Sequence, residues 1–381
     1  MRYKLKEIFD LQMGKTPSRN NPDYWCTEDN KWISIADLTK AGKYISDTKE
    51  FLSDAAVKES GIKIIPANTV IMSFKLSIGK TAITAEDMYS NEAIMAFHDK
   101  HAVDILPEYI FYLFKYKNWE EGSNKAVMGK TLNKATLSEI EVEICSIEKQ
   151  RQIVSILNKI MSVVDGRKQE LQLLDALIKA RFVELFGDAI HNDKGWENDT
   201  VEKLCKEIYG GGTPSKSHPE YYEDGDIPWV SSKDMKTDVL TDSQIKINQL
   251  GVDNSTARMV PINSVIMVIR SGILKHTLPV AINAVPITVN QDLKVFIPNK
   301  RVLTRFLAIQ FKMHEKDILS GVRAVTADNI EFNSLKQREL IVPPIELQQE
   351  YVTFLEQIDK SKVSLYYKNR KGGFSAIIVY I

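Results

Sequence analysis

Four short motifs occur twice along this chain of 381 residues, in the same order in each half. They are Gly-x-Thr-Pro-Ser at 14–18 and 211–215, Trp-Ile/Val-Ser at 32–34 and 229–231, Pro-x-Asn-x-Val-Ile-Met at 66–72 and 261–267, and Ile-Glu-x-Gln at 147–150 and 345–348. Because the matches are ordered and extend over nearly the whole length, they indicate a tandem duplication. A repeat this long predicts two complete domains of one fold, not a solenoid of short units.

Each copy begins with alternating strand and turn signals. Short apolar runs such as Thr69–Met72 and Ser264–Ile269 are bounded by Gly, Pro and Asn, which is typical of β-strands. Helical stretches interrupt them around Glu108–Tyr116 and Thr304–His314. This mixture predicts a compact α+β domain in each half.

A long helix is predicted after the first copy. From Glu148 to about Phe186 the chain has no proline and one glycine, and its apolar residues follow a heptad pattern. About 38 helical residues would extend roughly 57 Å. The residues predicted to pair this helix with another are Ile153, Leu157, Ile160, Val164, Leu171, Leu174 and Ile178, together with Tyr351, Phe354, Ile358 and Leu365 on a shorter helix after the second copy.

These patterns divide the chain into five segments. The first copy occupies 1–146, the long helix 147–188, the second copy 189–344, the shorter helix 345–371 and an atypical apolar tail 372–381.

Composition limits the function classes. The 50 Lys and Arg balance 50 Asp and Glu, so any nucleic-acid site must depend on local placement of charge. The three cysteines are far apart and form no pairing pattern, which predicts a reducing cytoplasm. The N-terminus has no signal-peptide pattern, and no apolar run approaches the ~18 residues of a membrane span.

Fragments that resemble catalytic motifs are incomplete. Gly-Lys-Thr at 79–81 and 129–131 lacks the earlier glycine of a phosphate-binding loop. Asn21-Pro-Asp-Tyr24 lacks the second proline of the loop with which adenine methyltransferases hold a flipped base. His98 and His101 have no further ligands nearby to complete a metal site. The sequence therefore predicts no catalytic residues, no metal and no cofactor in this chain.

Basic and hydroxyl residues recur in the loops of both copies, and these are the groups that hold phosphate oxygens. For any one loop a solvated surface turn is the simpler interpretation, but the recurrence favours double-stranded DNA as the ligand. The candidate contacts are Lys15, Thr16, Ser18, Arg19, Lys75, Lys80, Lys125 and Lys130 in the first copy, and Thr213, Ser215, Lys216, Lys233, Arg270, Lys275 and Arg323 in the second.

The order of these motifs, with a long helix after each copy, resembles the specificity subunit of type I restriction-modification systems over almost the whole chain. The resemblance implies two tandem target recognition domains separated by long helices that form an antiparallel coiled coil. The coiled coil would set the spacing of a bipartite DNA target and dock two methyltransferase subunits, and restriction subunits would add the motor and nuclease. Catalysis, with S-adenosylmethionine, ATP and magnesium, would belong to these partners.

The resemblance also implies where DNA sequence is read. It assigns reading to the loops after the two Val-Ile-Met strands, with Lys75, Lys80, Arg270 and Lys275 as contacts. A bidentate hydrogen bond from Arg270 to guanine is the most specific of these expectations. The C-terminus departs from the family pattern, because the ending of the first helix is not repeated after the second, and this puts closure of the coiled coil in question.

Two other functions remain open at this stage. A fused enzyme remnant would have methyltransferase or nuclease activity of its own, although a motif for the methyl donor is missing. A protein-interaction scaffold of duplicated domains would bind its partners tightly and show no salt-sensitive DNA affinity.

Overall fold

The computed structural model describes residues 1–75, 77–119, 132–324 and 328–371, with side chains except at 323–324 and 363–371. Within it the chain separates into two compact units, built mainly from Met1–Lys168 and from Gln169–Lys368. We call them the first and the second unit. The tail at 372–381 lies outside the described residues.

The first unit is organised around two small sheets. Over the described residues, its five-stranded sheet has the spatial order Phe9–Met13, Ile94–Asp99, Val70–Ser73, Thr81–Thr84 and Tyr44–Ile45. Neighbouring strands are antiparallel except for the last pair, which is parallel. The three-stranded sheet has the order Glu50–Leu52, Asn30–Ile33 and Tyr89–Ser90, and Arg2–Lys4 pairs with Glu141–Glu143.

The second unit repeats this topology. Its five-stranded sheet, again counted over the described part of the chain, has the order Cys205–Gly210, Leu293–Pro298, Val265–Val268, Val280–Asn283 and Val239–Leu240. Its three-stranded sheet has the order Lys246–Ile247, Ile227–Val230 and Thr288–Val289. Asn198–Thr200 pairs with Glu339–Ile341, and Arg323–Ala324 with Asp328–Asn329. The equal strand order confirms a duplicated α+β fold.

Short helices connect the strands. In the first unit they are Leu5–Ile8, Pro22–Tyr24, Ile35–Lys40, Asp54–Ser60, Pro107–Tyr116 and Lys134–Ser138. In the second unit they are Val201–Leu204, Pro219–Tyr221, Gln249–Asp253, Gly272–Lys275, Thr304–Met313, Glu315–Ser320 and Phe332–Lys336. The two helices predicted around Glu108 and Thr304 are thus present, and each buries two phenylalanines or more.

The Pro-x-Asn part of the third motif forms a tight turn before a core strand. Asn68 and Asn263 both have a φ of 61°, in the left-handed region that asparagine tolerates better than most residues. Their backbone N–H groups donate to the carbonyls of Thr84 (2.7 Å) and Asn283 (2.9 Å). The asparagine therefore recurs because this turn requires a positive φ.

Two long helices complete the fold. The central helix, Ile147–Phe186, has 40 residues, which corresponds to roughly 60 Å. The C-terminal helix, Ile345–Lys371, has 27 residues. None of the helices that the structure describes combines the length and the apolar character of a membrane-spanning segment.

Within the second unit these helices run antiparallel, as expected. Asp175 forms an ion pair with Lys362, and Arg181 forms one with Glu350 at 2.7 Å. The residue numbers of the partners on the C-terminal helix therefore decrease as those on the central helix increase. The hydroxyl of Tyr351 also donates to the carbonyl of the central helix at Ile178, at 2.9 Å.

The predicted heptad residues lie on the less exposed side of the central helix. Ile153, Leu157 and Ile160 pack in the core of the first unit, whereas Ile178 packs in the core of the second. Val164 and Leu174 are half-buried, and Leu171 is 38% exposed. Ile153, Leu157, Ile160 and Ile178 therefore contribute to the cores of the units. The pairing of the predicted residues with another helix stays a prediction.

On the C-terminal helix, Tyr351 and Ile358 are buried and Phe354 is half-buried. Leu355, which the predicted heptad pattern does not include, is also buried in the core of the second unit. Phe354 occupies that step of the predicted pattern. The side chain of Leu365 lies outside the described part of the structure.

The fourth motif ends in a buried glutamine that ties each long helix to its unit. The side-chain oxygen of Gln150 accepts from the N–H of Leu106 at 2.9 Å, and its amide donates to the carbonyls of Asp104 and Cys145 at 2.8 and 2.9 Å. Gln348 makes the same three bonds, to Leu303 N–H (3.0 Å) and to the carbonyls of Arg301 (3.0 Å) and Pro343 (2.9 Å). The motif recurs because these loop backbone groups need a partner.

We expect a pH-dependent loss of stability from His314, which is 2% exposed. Burial, together with the nearby guanidinium of Arg338, lowers the pKa of His314 to about 4, whereas the unfolded chain protonates it near 6.5. Its contribution is therefore intact above pH 6.5 and is lost as the pH falls towards 4, by up to about 3 kcal/mol. Urea unfolding of wild type and His314→Gln between pH 7.5 and 4.5 measures this. Parallel pH profiles for the two proteins would contradict it.

Candidate nucleic-acid interface

In each unit, three loops that are distant in sequence meet at one end of the five-stranded sheet. In the first unit Met13 lies opposite Met95 and Ser73 opposite Ile94, so the loops after these two strands lie beside the turn that precedes Ile94. The second unit has the same register, with Gly210 opposite Lys294 and Val268 opposite Leu293. We call this the loop end of each unit. In the first unit it contains the loop at 14–19, the described loop residues 74–75 and 77–80, and the turn at 90–93. In the second unit it contains the loops at 211–216 and 269–279 and the turn at 289–292.

The first glycine of each Gly-x-Thr-Pro-Ser motif is required by close packing at the loop end. A Cβ atom on Gly14 would overlap the carbonyl oxygens of Ser90 and Asn91. One on Gly211 would overlap those of Val289 and Asn290. The backbone of the motif therefore lies directly against the turn, which only a residue without a side chain permits.

The repeated tryptophan fixes the next residue of the same motif. Trp32 Nε1–H donates to the carbonyl of Lys15 at 3.0 Å, and Trp229 Nε1–H donates to the carbonyl of Gly212 at 2.9 Å. Both indole rings are buried. Two motifs that are separate in sequence thus form one structural element that holds the loop in place.

The threonine of the motif binds the side chain at the tip of the turn. Thr16 Oγ1 donates to the carboxylate of Glu92, and Thr213 Oγ1 donates to the side-chain oxygen of Gln291. Glu92 and Gln291 were not predicted as site residues. They lie 76 and 78 residues from their threonines, and a single exposed acid or amide gives no signal in a sequence.

The predicted cations of the first unit contact neighbouring protein groups. The Arg19 guanidinium lies 3.7 Å from the ring centroid of Trp25 and forms a two-pronged ion pair with Glu50, which offsets its charge. Lys80 Nζ donates to Thr39 Oγ1 at 2.7 Å. Lys15 donates to the carbonyl of Ser60, and Lys75 Nζ lies 5.3 Å from the ring centroid of Phe74. The predicted hydroxyl residue Ser18 is exposed, and its carbonyl accepts from Trp25 Nε1–H.

In the second unit Arg270 is engaged by an acid. Its Nε and Nη2 atoms lie 2.7 and 2.6 Å from Asp292 Oδ1, so a bidentate bond to guanine would require that this ion pair opens. Lys275 Nζ lies 3.8 Å from Asp328. Lys216 and Lys233 are exposed, as is Ser215, whose hydroxyl contacts that of Ser217 at 2.6 Å.

Lys294 is a further cation at this loop end that the sequence did not single out. Its ammonium lies 4.6 Å from the ring centroid of Phe332, and burial together with the charge of Arg270 lowers its pKa. Nothing in the sequence distinguishes this lysine as a site residue, because an isolated lysine in a strand usually faces solvent.

Three predicted contacts fall on parts of the chain that the structure does not describe. Lys125 and Lys130 lie in the segment 120–131, outside the described residues. The backbone of Arg323 belongs to a short strand, but its side chain is outside the described part. These three assignments stay predictions.

Comparison with known proteins identifies the fold that carries these loops. The family model described as type I restriction modification DNA specificity domain matches the chain twice, at residues 1–175 and 193–370. The chain belongs to this family. The type I DNA specificity family thus accounts for the duplication inferred from the motifs.

Individual relatives agree with this assignment. The type I restriction enzyme MjaIX specificity subunit of Methanocaldococcus jannaschii is 25% identical over 377 residues, which cover 93% of this chain and 85% of that protein. The EcoR124I/EcoR124II specificity subunit of Escherichia coli is 32% identical over 219 residues, 56% of this chain and 52% of that protein. The crystal structure of a type I S subunit from M. genitalium shares the fold, with a TM-score of 0.57 at 12% identity over 100% of this chain and 94% of that one.

As a member of the type I DNA specificity family, the chain is the DNA-recognition subunit of a restriction-modification system and is non-catalytic. Its partners are DNA and, in general, the modification and restriction subunits of such a system. Among the residues that the structure describes, no group of three or more His, Cys, Asp or Glu side chains is placed to hold a metal ion.

His98 and His101 lie away from the loop end. His98, opposite Asp10 near the other end of the sheet, contacts Gln12 Oε1 through Nε2 at 3.1 Å, and burial lowers its pKa. His101 is exposed beside Asp99, at 3.3 Å. His98 is half-buried and His101 is exposed, and these local contacts account for both side chains.

Proposed function

We propose that the loop end of each unit reads one half of a bipartite duplex-DNA target, and that the paired long helices set the spacing between the halves. One observation carries this proposal. The glycine, tryptophan and threonine contacts that hold the loops are the same in both units, whereas the exposed side chains differ, with Arg19 and Glu92 in one and Lys216 and Gln291 in the other. The same supporting contacts combined with different exposed side chains suit two domains that recognise different half-sites.

The helices suit the role of a spacer and docking surface. A 40-residue helix of roughly 60 Å matches about 18 base pairs of duplex at ~3.4 Å each. Leu173 and Leu177, one turn apart on the central helix, are 62% and 46% exposed, and adjacent exposed apolar side chains favour a protein partner.

The proposed complex contains two methyltransferase subunits docked on these helices, and restriction subunits complete it. S-adenosylmethionine, ATP and magnesium would be bound by those partners, and the complex would act in the cytoplasm, where its DNA lies. We retain the division into recognition domains at 1–146 and 189–344, a spacer helix at 147–188 and a pairing helix at 345–371 as part of this proposal.

The test uses the chain co-expressed with the methyltransferase subunit of its own system. Sequencing of methylated adenines is expected to give a split motif, two short specific halves around a fixed unspecific gap. Assembly without methylation of any sequence would favour the scaffold alternative, and methylation by the isolated chain would favour the enzyme remnant.

Phosphate contacts at and beside the second loop end are tested by the double variant Lys216→Ala/Lys233→Ala. Lys233 follows the strand Ile227–Val230, and the carbonyl of Val230 accepts from the N–H of Asn290 in the turn at 289–292. We expect weaker binding to a duplex that carries the motif and a salt slope of log affinity smaller by about 2, with the motif itself unchanged. Lys300→Ala is the matched control, because Lys300 is exposed beyond the opposite end of the strand Leu293–Pro298. A salt slope equal to that of the control would contradict the assignment.

A further inference from the structure

We propose that Glu92 and Gln291 are the base-reading residues through which the two units recognise different bases at equivalent positions of their half-sites. The inference rests on the proposed function and deepens it. The two residues occupy the same place in the duplicated fold. Each follows a repeated asparagine, Asn91 or Asn290, and precedes the strand that lies second in its five-stranded sheet.

The backbone that carries each side chain is fixed on several sides. In the first unit Asn91 N–H donates to the carbonyl of Ile33 at 3.0 Å, and Asn91 Oδ1 accepts from the N–H of Ala93 at 2.8 Å. In the second unit the equivalent bonds join Asn290 N–H to Val230 (2.9 Å) and Asn290 Oδ1 to the N–H of Asp292 (3.1 Å). The neighbouring glycine packs against the same turn. A recognition group held on such a rigid support is already organised for binding.

The side chains of Glu92 and Gln291 are exposed to solvent, and each is held in one orientation by a hydrogen bond. One oxygen of each accepts from the threonine hydroxyl, and in the first unit Asn91 Nδ2 in turn donates to Thr16 Oγ1 at 3.1 Å. The second carboxylate oxygen of Glu92 and, for Gln291, the amide nitrogen together with the second lone pair of its oxygen are the groups that would meet a base edge.

The chemistry of the two groups predicts different bases. A carboxylate only accepts hydrogen bonds and pairs with the N4 amino group of cytosine in the major groove. A glutamine amide both accepts and donates, and it matches the N6 and N7 atoms of adenine. Because Glu and Gln have nearly the same shape, a swap changes the hydrogen-bonding pattern and leaves the turn intact.

The experiment exchanges the two residues in the full complex with the methyltransferase subunit and reads the methylated adenines of host DNA. Glu92→Gln should change one position of one half-site from C·G to A·T, and Gln291→Glu should make the reciprocal change in the other half-site. Each change in base preference should be about ten- to a hundred-fold. Glu92→Ala should relax the same single position without a new preference.

Glu86→Gln is the control, because Glu86 is an exposed acid beyond the opposite end of the strand Thr81–Thr84. Unchanged motifs in both swapped complexes, or both changes in one half-site, would overturn the inference while the proposed function stands. If a swapped complex methylates nothing, the motif that it binds is selected from a randomised duplex pool. The same changes of base are then expected in that bound motif, and their absence would overturn the inference. A wild-type complex that recognises no split motif removes the proposed function, and the inference with it.

Discussion

Replacing Gln348 with methionine is expected to lower the free energy of unfolding of the second unit by about 3 kcal/mol, because three loop backbone groups lose their partner at once. These groups are the N–H of Leu303 and the carbonyls of Arg301 and Pro343. Methionine keeps the length of the side chain and fills the same space, so the loss reports hydrogen bonds and not a cavity.

The adjacent Gln349→Met is the matched control, because Gln349 is exposed and its loss should change stability by less than about 0.5 kcal/mol. Urea unfolding measures the difference, and hydrogen exchange of peptides around 301–304 and 341–350 locates it. Gln150→Met should produce the same loss in the first unit, where Leu106, Asp104 and Cys145 are the partners. Equal midpoints for Gln348→Met and Gln349→Met would refute the argument.

This glutamine also shows what an internal duplication reveals in a sequence. The repetition of Ile-Glu-x-Gln marks the residue, but its role appears only when Gln348 is seen beside a loop some 45 residues earlier in the chain. The same holds for Gly14, whose importance lies in contact with the turn at Asn91. Repetition in the sequence identifies these positions. The physical reason for each one becomes visible only in the contacts that it makes in the folded chain.

The overall fold was predictable because its signals are local. Heptad periodicity predicts the central helix from within its own span, and the apolar run at Val70–Met72 predicts a buried strand. The order of strands in the sheet was not predictable, because it depends on pairings such as that of Phe9–Met13 with Ile94–Asp99.

The candidate site was predictable only in part. Sequence reasoning found the cations of the loops, since charge and repetition are visible in one dimension. It did not find that Asp292 engages Arg270, or that Glu50 engages Arg19, because both acids come from other strands or turns. It also did not find Glu92 and Gln291, the positions with the most informative chemistry, because the two copies carry different residues there.

Phe186→Ala is expected to destabilise the second unit by about 3–5 kcal/mol, the usual cost of deleting a fully buried aromatic ring. Phe186 is buried at the end of the central helix. Its ring centroid lies 4.9 Å from that of Phe306 and 5.6 Å from that of Tyr351. These two rings come from the helix Thr304–Met313 and from the C-terminal helix, so one side chain joins three helices of the unit.

Val183→Ala is the control for this variant, since Val183 lies one turn earlier on the same helix and is largely exposed. It should change stability by less than about 0.5 kcal/mol. Because a chain with two compact units need not unfold in a single two-state transition, hydrogen exchange followed in each unit is the appropriate measurement. Protection should fall in the second unit and in the helix around 178–186, while the strands of the first unit keep theirs. Equal loss in both units would mean that the ring stabilises the chain as a whole, and an unchanged second unit would show that the three helices hold together without it.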